Sequence, residues 1–259
     1  MEHSNEMGVV AEPHDFVDCH IPLHHLEPPV RGEVHLWFLD LGSLGGALNS
    51  ALGSRESQKS TLSLSQLLFA RRFYLRLLLG AYLGLPGKSV IINRKNRGKP
   101  VLDSDTHDMK LHFSMAKSED KLLIGLSSTA HIGVDLETTN RVARDAMGVA
   151  CRYFSPAEAQ SLADVSPAER DTAFLRTWAC KEAVVKASGY GIANQFGKFT
   201  VQTDLSRPVA VLDFEGNGPG EWSLAMARPG EGFLGAVATR DSISKLRAFT
   251  LLPVSEISG

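Results

Sequence analysis

Ile132-Gly133-Val134-Asp135-Leu136-Glu137 is followed some forty residues later by Trp178-Ala179-Cys180-Lys181-Glu182-Ala183-Val184-Val185-Lys186. The first segment reads as a strand, so Asp135 and Glu137 alternate with apolar neighbours and point to one face. The second reads as a helix, on which Glu182 and Lys186 lie one turn apart and share a face. Taken separately, Asp135 and Glu137 would suit an exposed strand. Glu182 with Lys186 would suit a surface ion pair worth about 0.2–0.5 kcal/mol. The apolar flank of Ile132, Val134 and Leu136 argues instead for a strand buried on one face, where like charges held together call for a cation. Three converging carboxylates and at least one lysine suit a divalent metal beside phosphates, because Mg²⁺ takes hard oxygen ligands and lets phosphate oxygens complete its shell.

Around these segments the chain reads as alternating strands and helices. Glu33–Leu41 is a strand in which Val34, Leu36 and Phe38 share a face, and Leu64 to Gly84 is a long amphipathic helix stopped by Pro86. Short strands are expected at Val90–Ile92, Leu122–Leu126 and His131–Glu137. Ser155-Pro156-Ala157-Glu158 and Ser166-Pro167-Ala168-Glu169 each offer Ser at N-cap, Pro at N1 and Glu at N3 of a helix. The second of these helices should run to Ser188 and stop at Gly189. Strands are then expected near Phe199–Val201, Val209–Leu212, Trp222–Ala227, Leu234–Thr239 and Leu246–Leu252. Each half thus shows a strand, a long helix and several antiparallel strands. The expected fold is α+β, a pseudo-dimer of two similar subdomains, each a long helix packed on a small antiparallel sheet. The expected divisions are a poorly ordered N-terminal extension at 1–30, an N-terminal half at 31–130 and a C-terminal half at 131–259. A site between the halves would be natural.

Bulk properties narrow the class. Hydrophobic residues make up 43% and charged residues 22% of the 259, as in ordinary globular proteins. The formal charge of −2 gives no global pull toward nucleic acid. Cys19, Cys151 and Cys180 lack metal-ligand spacing and suggest no disulfide framework. The most apolar run, Leu62 to Leu85, carries Arg71, Arg72 and Arg76, which speaks against a membrane span. No signal peptide is visible, so the cytoplasm is expected. His3, His14, His20, His24 and His25 lack zinc-site spacing and read as part of the extension. Neither a P-loop nor a glycine-rich dinucleotide fingerprint is present.

Two further groups of cations stand out. Arg72 and Arg76 share a face of the first long helix, and Arg94, Lys95, Arg97 and Lys99 crowd one loop that would suit a phosphate clamp. Either group would equally suit a solvated surface.

Together these pieces resemble the 4′-phosphopantetheinyl transferases of the larger, surfactin-synthetase type. The likeness rests on Gly133-Val134-Asp135-Leu136-Glu137 and on Trp178, Lys181, Glu182, Ala183 and Lys186, ending in Gly189-Tyr190-Gly191. Gly98-Lys99-Pro100 and the Arg71–Arg76 helix resemble two weaker family features in the right order. The resemblance spans roughly residues 33–240. One departure stands at Phe113-Ser114-Met115-Ala116-Lys117-Ser118, where Ala116 and Lys117 replace the family's serine and histidine. Lysine keeps a cation there independent of pH.

The resemblance implies an enzyme that moves the 4′-phosphopantetheine arm of coenzyme A to a serine of apo acyl or peptidyl carrier proteins, with Mg²⁺, releasing 3′,5′-adenosine bisphosphate. It implies Asp135, Glu137 and Glu182 as metal ligands, with Lys186 on the phosphates and Lys181 nearby. Arg72 or Arg76, Lys99 and Lys117 would meet the 3′-phosphate and adenine end. Glu182 or Glu137 would serve as base. It further implies a monomer acting in fatty acid, polyketide or nonribosomal peptide biosynthesis, with Arg141, Arg144 and Arg152 as candidates for meeting an acidic carrier. Two rivals are another Mg²⁺-dependent phosphoryl or nucleotidyl transferase and a carrier-binding module without turnover.

Overall fold

The computed structural model describes residues 15–51, 62–94, 98–107, 110–129, 131–140, 145–189 and 195–254, apart from 203, 205, 217, 219 and 221. In chain order these form β1 (Val17–His20), β2 (Glu33–Asp40), α1 (Leu41–Ala51), α2 (Leu64–Leu83), β3 (Ile92–Arg94), β4 (Pro100–Leu102), β5 (His112–Ser118) and β6 (Lys121–Ser127). The second part contains β7 (Ile132–Thr138), α3 (Ala146–Tyr153), α4 (Pro156–Asp164), α5 (Arg170–Ser188), β8 (Phe199–Gln202), β9 (Ala210–Phe214), β10 (Ser223–Ala227), β11 (Phe233–Thr239) and β12 (Lys245–Leu252).

Local sequence sets most of these boundaries. Ser63 caps α2 in a capping box with Gln66, and Ser155 does the same for α4 with Glu158. Gly189, in the left-handed region at φ 75°, ends α5 where a side chain would be strained. The residues 166–169 form a turn instead of a first helical turn: Glu169 N–H donates to the Ser166 carbonyl at 3.0 Å, and α5 starts at Arg170, later than the Ser-Pro pair suggests.

Two sheets carry the fold. The larger has the order β1-β12-β2-β6-β5 and the smaller the order β10-β11-β7, with separate two-stranded ladders β3–β4 and β8–β9. Within them β2–α2–(β3, β4)–β5–β6 and β7–α5–(β8, β9)–β10–β11 repeat one pattern. In each, the first strand pairs antiparallel with the last, which pairs antiparallel with the one before it.

Strand β2 is buried on both faces. Trp37 and Leu39 join the core under α2, while Val34, Leu36 and Phe38 join a core between the sheets with Ile132, Val134 and Leu136 of β7. The third core surrounds α5, whose Ala- and Val-rich surface is buried nearly all round. The two sheets abut where β5 and β7 pass, and Val134 N–H donates to Ser114 Oγ at 3.2 Å.

Residues 15–30, read from sequence as part of a loosely ordered extension, are tied down. Strand β1 runs parallel to β12, Leu26 N–H donates to the Ala81 carbonyl at 3.0 Å, and Phe16 packs edge-on against Phe38. Strand β12 does not follow β11 in the smaller sheet. It runs parallel to β2, so the last described strand sits in the larger sheet. Among the described residues no helix is long and apolar enough to cross a membrane.

Candidate active site

Gly133, Asp135 and Glu137 lie on the face of β7 turned to α5, opposite the Ile132, Val134 and Leu136 face. The contact is backbone to backbone: a Cβ at Gly133 would fall 2.0 Å from the Ala183 carbonyl oxygen and 2.4 Å from the Ala187 nitrogen. This approach brings the second segment onto the first. Lys186 Nζ donates to Asp135 Oδ1 at 2.6 Å and stands 4.0 Å from Glu182 Oε2.

Asp135 and Glu182 are only 6% and 7% exposed, and that burial governs their chemistry. Burial pushes the Glu182 carboxyl up to about 7, with Lys186 pulling down and the neighbouring Asp135 charge pushing further up. Burial also raises Asp135, against the pull of Lys186. The second oxygen of Asp135, Oδ2, is buried and accepts no hydrogen bond among the described residues. A buried bare carboxylate oxygen beside a second buried carboxyl is a donor set for a hard cation.

Of the three expected ligands, the structure brings Asp135 and Glu182 together. Glu137, half-buried, stands one pleat further along the same face, about 7 Å on by strand geometry. Among the described residues no three carboxylate, histidine or cysteine side chains are gathered closely enough to hold a metal ion by themselves. Mg²⁺ fits nevertheless, because it uses one or two protein carboxylates together with substrate phosphates and water.

Lys181 does not belong to this site, contrary to expectation. It is fully buried, and its Nζ donates to both oxygens of Glu158 and to the Phe199 carbonyl, each at 2.7 Å, under the Phe199 ring at 4.2 Å. Glu158 also accepts from Ser155 N–H and Val201 N–H, both at 2.8 Å. The pair thus ties α4, α5 and β8 together, and its charges are wholly spent within the fold. Glu158 was legible as a helix cap, but a partner 23 residues away leaves no local signal.

Lys99 also departs from expectation: its Nζ donates to the backbone carbonyls of Ile132 (2.8 Å) and Lys186 (2.7 Å), not into a cleft. The basic cleft lies elsewhere, a hollow of about 310 Å³ lined by Leu68, Arg71, Arg72, Leu75 and Arg76 of α2, Ile92 and Arg94 of β3, Pro100 and Met115. Arg72 and Arg76 thus share one hollow with Arg71 and Arg94. Arg76 is partly engaged, since its Nη1 donates to the Val90 carbonyl. Lys117 is exposed and alternates onto the same face of β5 as Met115, without lining the hollow. A larger hollow of about 600 Å³ between α4, α5 and β8–β9 takes in none of the carboxylates on β7 or Glu182. Lys95, Arg97, Arg141, Arg144, Tyr190 and Gly191 lie outside the described residues, as do His3 and His14. Arg152 lies on α3 over the exposed Tyr153 ring, at 5.2 Å.

Comparison with known proteins places these segments in context. Residues 131–238 match the family model described as 4′-phosphopantetheinyl transferase superfamily. The chain is similar to 4′-phosphopantetheinyl transferase HetI of Nostoc sp., 34% identical over 175 residues, covering 62% of this chain and 70% of that protein. It is also similar to 4′-phosphopantetheinyl transferase psf-1 of Bacillus pumilus, 33% identical over 119 residues, covering 46% and 48%. The solved holo-[acyl-carrier-protein] synthase of Thermotoga maritima overlaps 42% of this chain and 61% of its own at 19% identity and a TM-score of 0.31, too distant to bear on the assignment. With a relative matched over 70% of its length at 34% identity, and with both carboxylate-bearing segments inside the matched region, the chain belongs to the 4′-phosphopantetheinyl transferase superfamily.

Proposed function

We propose that this transferase moves the 4′-phosphopantetheine arm of coenzyme A to a serine of apo acyl or peptidyl carrier proteins, with Mg²⁺, and releases 3′,5′-adenosine bisphosphate. The observation that carries the reading is the buried carboxylate pair between β7 and α5, where Lys186 lies beside both Asp135 and Glu182 while Asp135 Oδ2 accepts no hydrogen bond among the described residues. Asp135 and Glu182, with Glu137 one pleat on, would hold Mg²⁺, which when bound offsets the charge developing on the leaving pyrophosphate oxygen.

The chain's own groups do the rest. Lys186, on a flexible stem next to Asp135, is placed to meet the phosphates. The arginine cleft of α2 and β3 would take the 3′-phosphate and adenine end, with Lys117 on the same face of β5 in the position of the family's histidine. The carrier serine attacks the β-phosphorus of coenzyme A, a new P–O bond forms, and the bond to the bridging pyrophosphate oxygen breaks. Glu182, directly or through a water, accepts the serine proton. Glu137 is the alternative base. Replacing each by Gln and following the pH–rate profile separates them, and a chemical step slowed by neither change would remove both.

The repeated strand–helix–ladder–strands pattern supports reading residues 31–130 and 131–259 as two halves of a monomeric pseudo-dimer. The last strand is exchanged into the first half. On this reading the cytoplasm is its place of work and the carriers belong to fatty acid, polyketide or nonribosomal peptide synthesis.

The test is intact-mass spectrometry of an apo carrier incubated with this protein, coenzyme A and Mg²⁺, with EDTA and Asp135→Ala as controls. The expected result is a gain of one phosphopantetheine that both controls abolish. Coenzyme A bound without transfer to carriers of every class would favour a binding module. Binding of a nucleoside triphosphate but not coenzyme A would favour another phosphoryl transferase.

A further inference from the structure

We infer that Lys99 is a positioning residue, which sets the spacing of β7 against α5 and so the geometry of the carboxylate pocket, and that it is not a phosphate ligand. The inference rests on the proposed function and concerns the same site.

Lys99 holds two backbone carbonyls, those of Ile132 and Lys186. The Lys186 carbonyl lies in the last turn of α5, where carbonyls lack a partner within the helix. The Ile132 carbonyl opens β7. Between them lies the tightest approach in the site, at Gly133, where no side chain separates the strand from the Ala183–Ala187 stretch of the helix. Nζ of Lys99 reaches both oxygens, at 2.8 and 2.7 Å, and so clips strand to helix beside that contact. A cation is also the right charge for the C-terminal end of a helix. The backbone atoms so fixed belong to the residue whose side chain meets Asp135 at 2.6 Å, four residues after Glu182.

Lys99 is absent from the arginine cleft that its neighbour Pro100 lines together with Arg71, Arg72, Arg76 and Arg94. Arg94 donates to the Gly98 carbonyl at 3.2 Å. Gly98, held by the cleft residue Arg94, is thus the immediate neighbour of the lysine that clips β7 to α5, and Pro100 on that lysine's other side lines the cleft.

Two variants of the full chain test this: Lys99→Met, which keeps the length and loses the charge, and Lys99→Arg, which keeps donors for both carbonyls. Each is compared with wild type by Mn²⁺ binding to the protein alone, by coenzyme A binding, and by kcat and KM with coenzyme A and with dephospho-coenzyme A. For Lys99→Met, Mn²⁺ binding should weaken and kcat should fall by about 10- to 100-fold, as a displaced pocket requires. Its KM for coenzyme A and its preference over dephospho-coenzyme A should stay within about twofold, because the cleft is intact. Lys99→Arg should recover most of both losses.

The inference is overturned if KM rises and the preference collapses while Mn²⁺ binding is unchanged, since that is the signature of a phosphate ligand. It is overturned equally if Lys99→Met matches wild type in every readout. Should Lys99→Met fail to fold, Lys99→Gln, which retains a donor for one carbonyl, is read by the same contrast. If wild type itself transfers nothing, the functional reading fails, while the Mn²⁺ comparison still decides the role of Lys99.

Discussion

Gly133→Ala puts the central geometric claim at risk with a single methyl group. The new Cβ would lie 2.0 Å from the Ala183 oxygen, 2.4 Å from the Ala187 nitrogen and 3.0 Å from the Lys186 carbonyl carbon, all of them helix backbone. Ordinary contact needs more than 3 Å, and neither backbone can swing aside as a long side chain can. Helix α5 must therefore retreat by about 1 Å as a unit in a close-packed interior. The retreat carries Glu182 and Lys186 away from Asp135 and stretches the 2.6 Å contact past hydrogen-bonding range. Overpacking of this kind costs about 1–3 kcal/mol of stability. A displacement of about 1 Å at a catalytic constellation costs about 100-fold in rate. The assay is the rate of mass gain on an apo carrier, alongside a denaturant midpoint. Gly46→Ala is the control, because its Cβ meets nothing within 4 Å in the middle of α1. That change should be neutral or stabilising by about 0.5–1 kcal/mol. Wild-type rate and midpoint in Gly133→Ala would refute the reasoning, because β7 and α5 could not then be in rigid contact.

Glu158→Gln leaves the fully buried Lys181 ammonium without its counter-charge, and a denaturant titration should show a loss of about 3–5 kcal/mol. Lys181→Met paired with Glu158→Leu removes the unpaired charge and should recover part of that stability, the Ser155, Val201 and Phe199 backbone groups losing their partners, and leave KM for coenzyme A unchanged; a raised KM would return Lys181 to the binding site. In the metal-free protein the raised Glu182 carboxyl binds its proton more tightly folded than unfolded. Its contribution is present below 4.5 and lost as pH rises through about 7, with Asp135 adding the same sign. Thermal midpoints without divalent ions should therefore fall across that window, and Glu182→Gln should flatten the slope; a rising midpoint there would contradict the burial argument. Arg71→Met or Arg72→Met should raise KM for coenzyme A about tenfold and narrow its advantage over dephospho-coenzyme A at little cost in kcat, and unchanged KM in both would empty the cleft of its proposed role.

What could be read from the sequence is what local spacing encodes. The alternation of Asp135 and Glu137, the Glu182–Lys186 turn and the capping box of α4 are properties of a few adjacent residues, and each has the expected form, whereas the similar Ser166–Glu169 stretch forms a turn before α5. What could not be read depends on residues far apart. Strand β1 is four residues in a stretch rich in His and Pro, and it is a strand because β12 offers it an edge. Strand β12 looks like any apolar C-terminal strand; its place beside β2 is decided by a parallel register across some two hundred residues. The repeated order of elements was legible in the sequence, whereas the parallel pairing of β12 with β2 was not.

The three motif lysines carry this furthest, because their fates differ although each sits in a recognisable motif. Lys99 serves backbone carbonyls, Lys181 the buried Glu158, and Lys186 the carboxylates of Asp135 and Glu182. For two of them the helix itself held the answer. Residues five apart on an α-helix point about 140° away from each other, while residues four apart point within about 40°. Lys186 can therefore share a ligand with Glu182, and Lys181 cannot share one with Lys186 unless that ligand wraps the helix. A lysine turned to the far side of so deeply buried a helix must find a carboxylate inside the fold, and Glu158, fixed by its own cap, is the one in reach. Lys99 had no such rule, because its partners are carbonyls, which any sequence supplies. Only the bare contact at Gly133 marks where a clip is needed, and that contact appears only once strand and helix are packed.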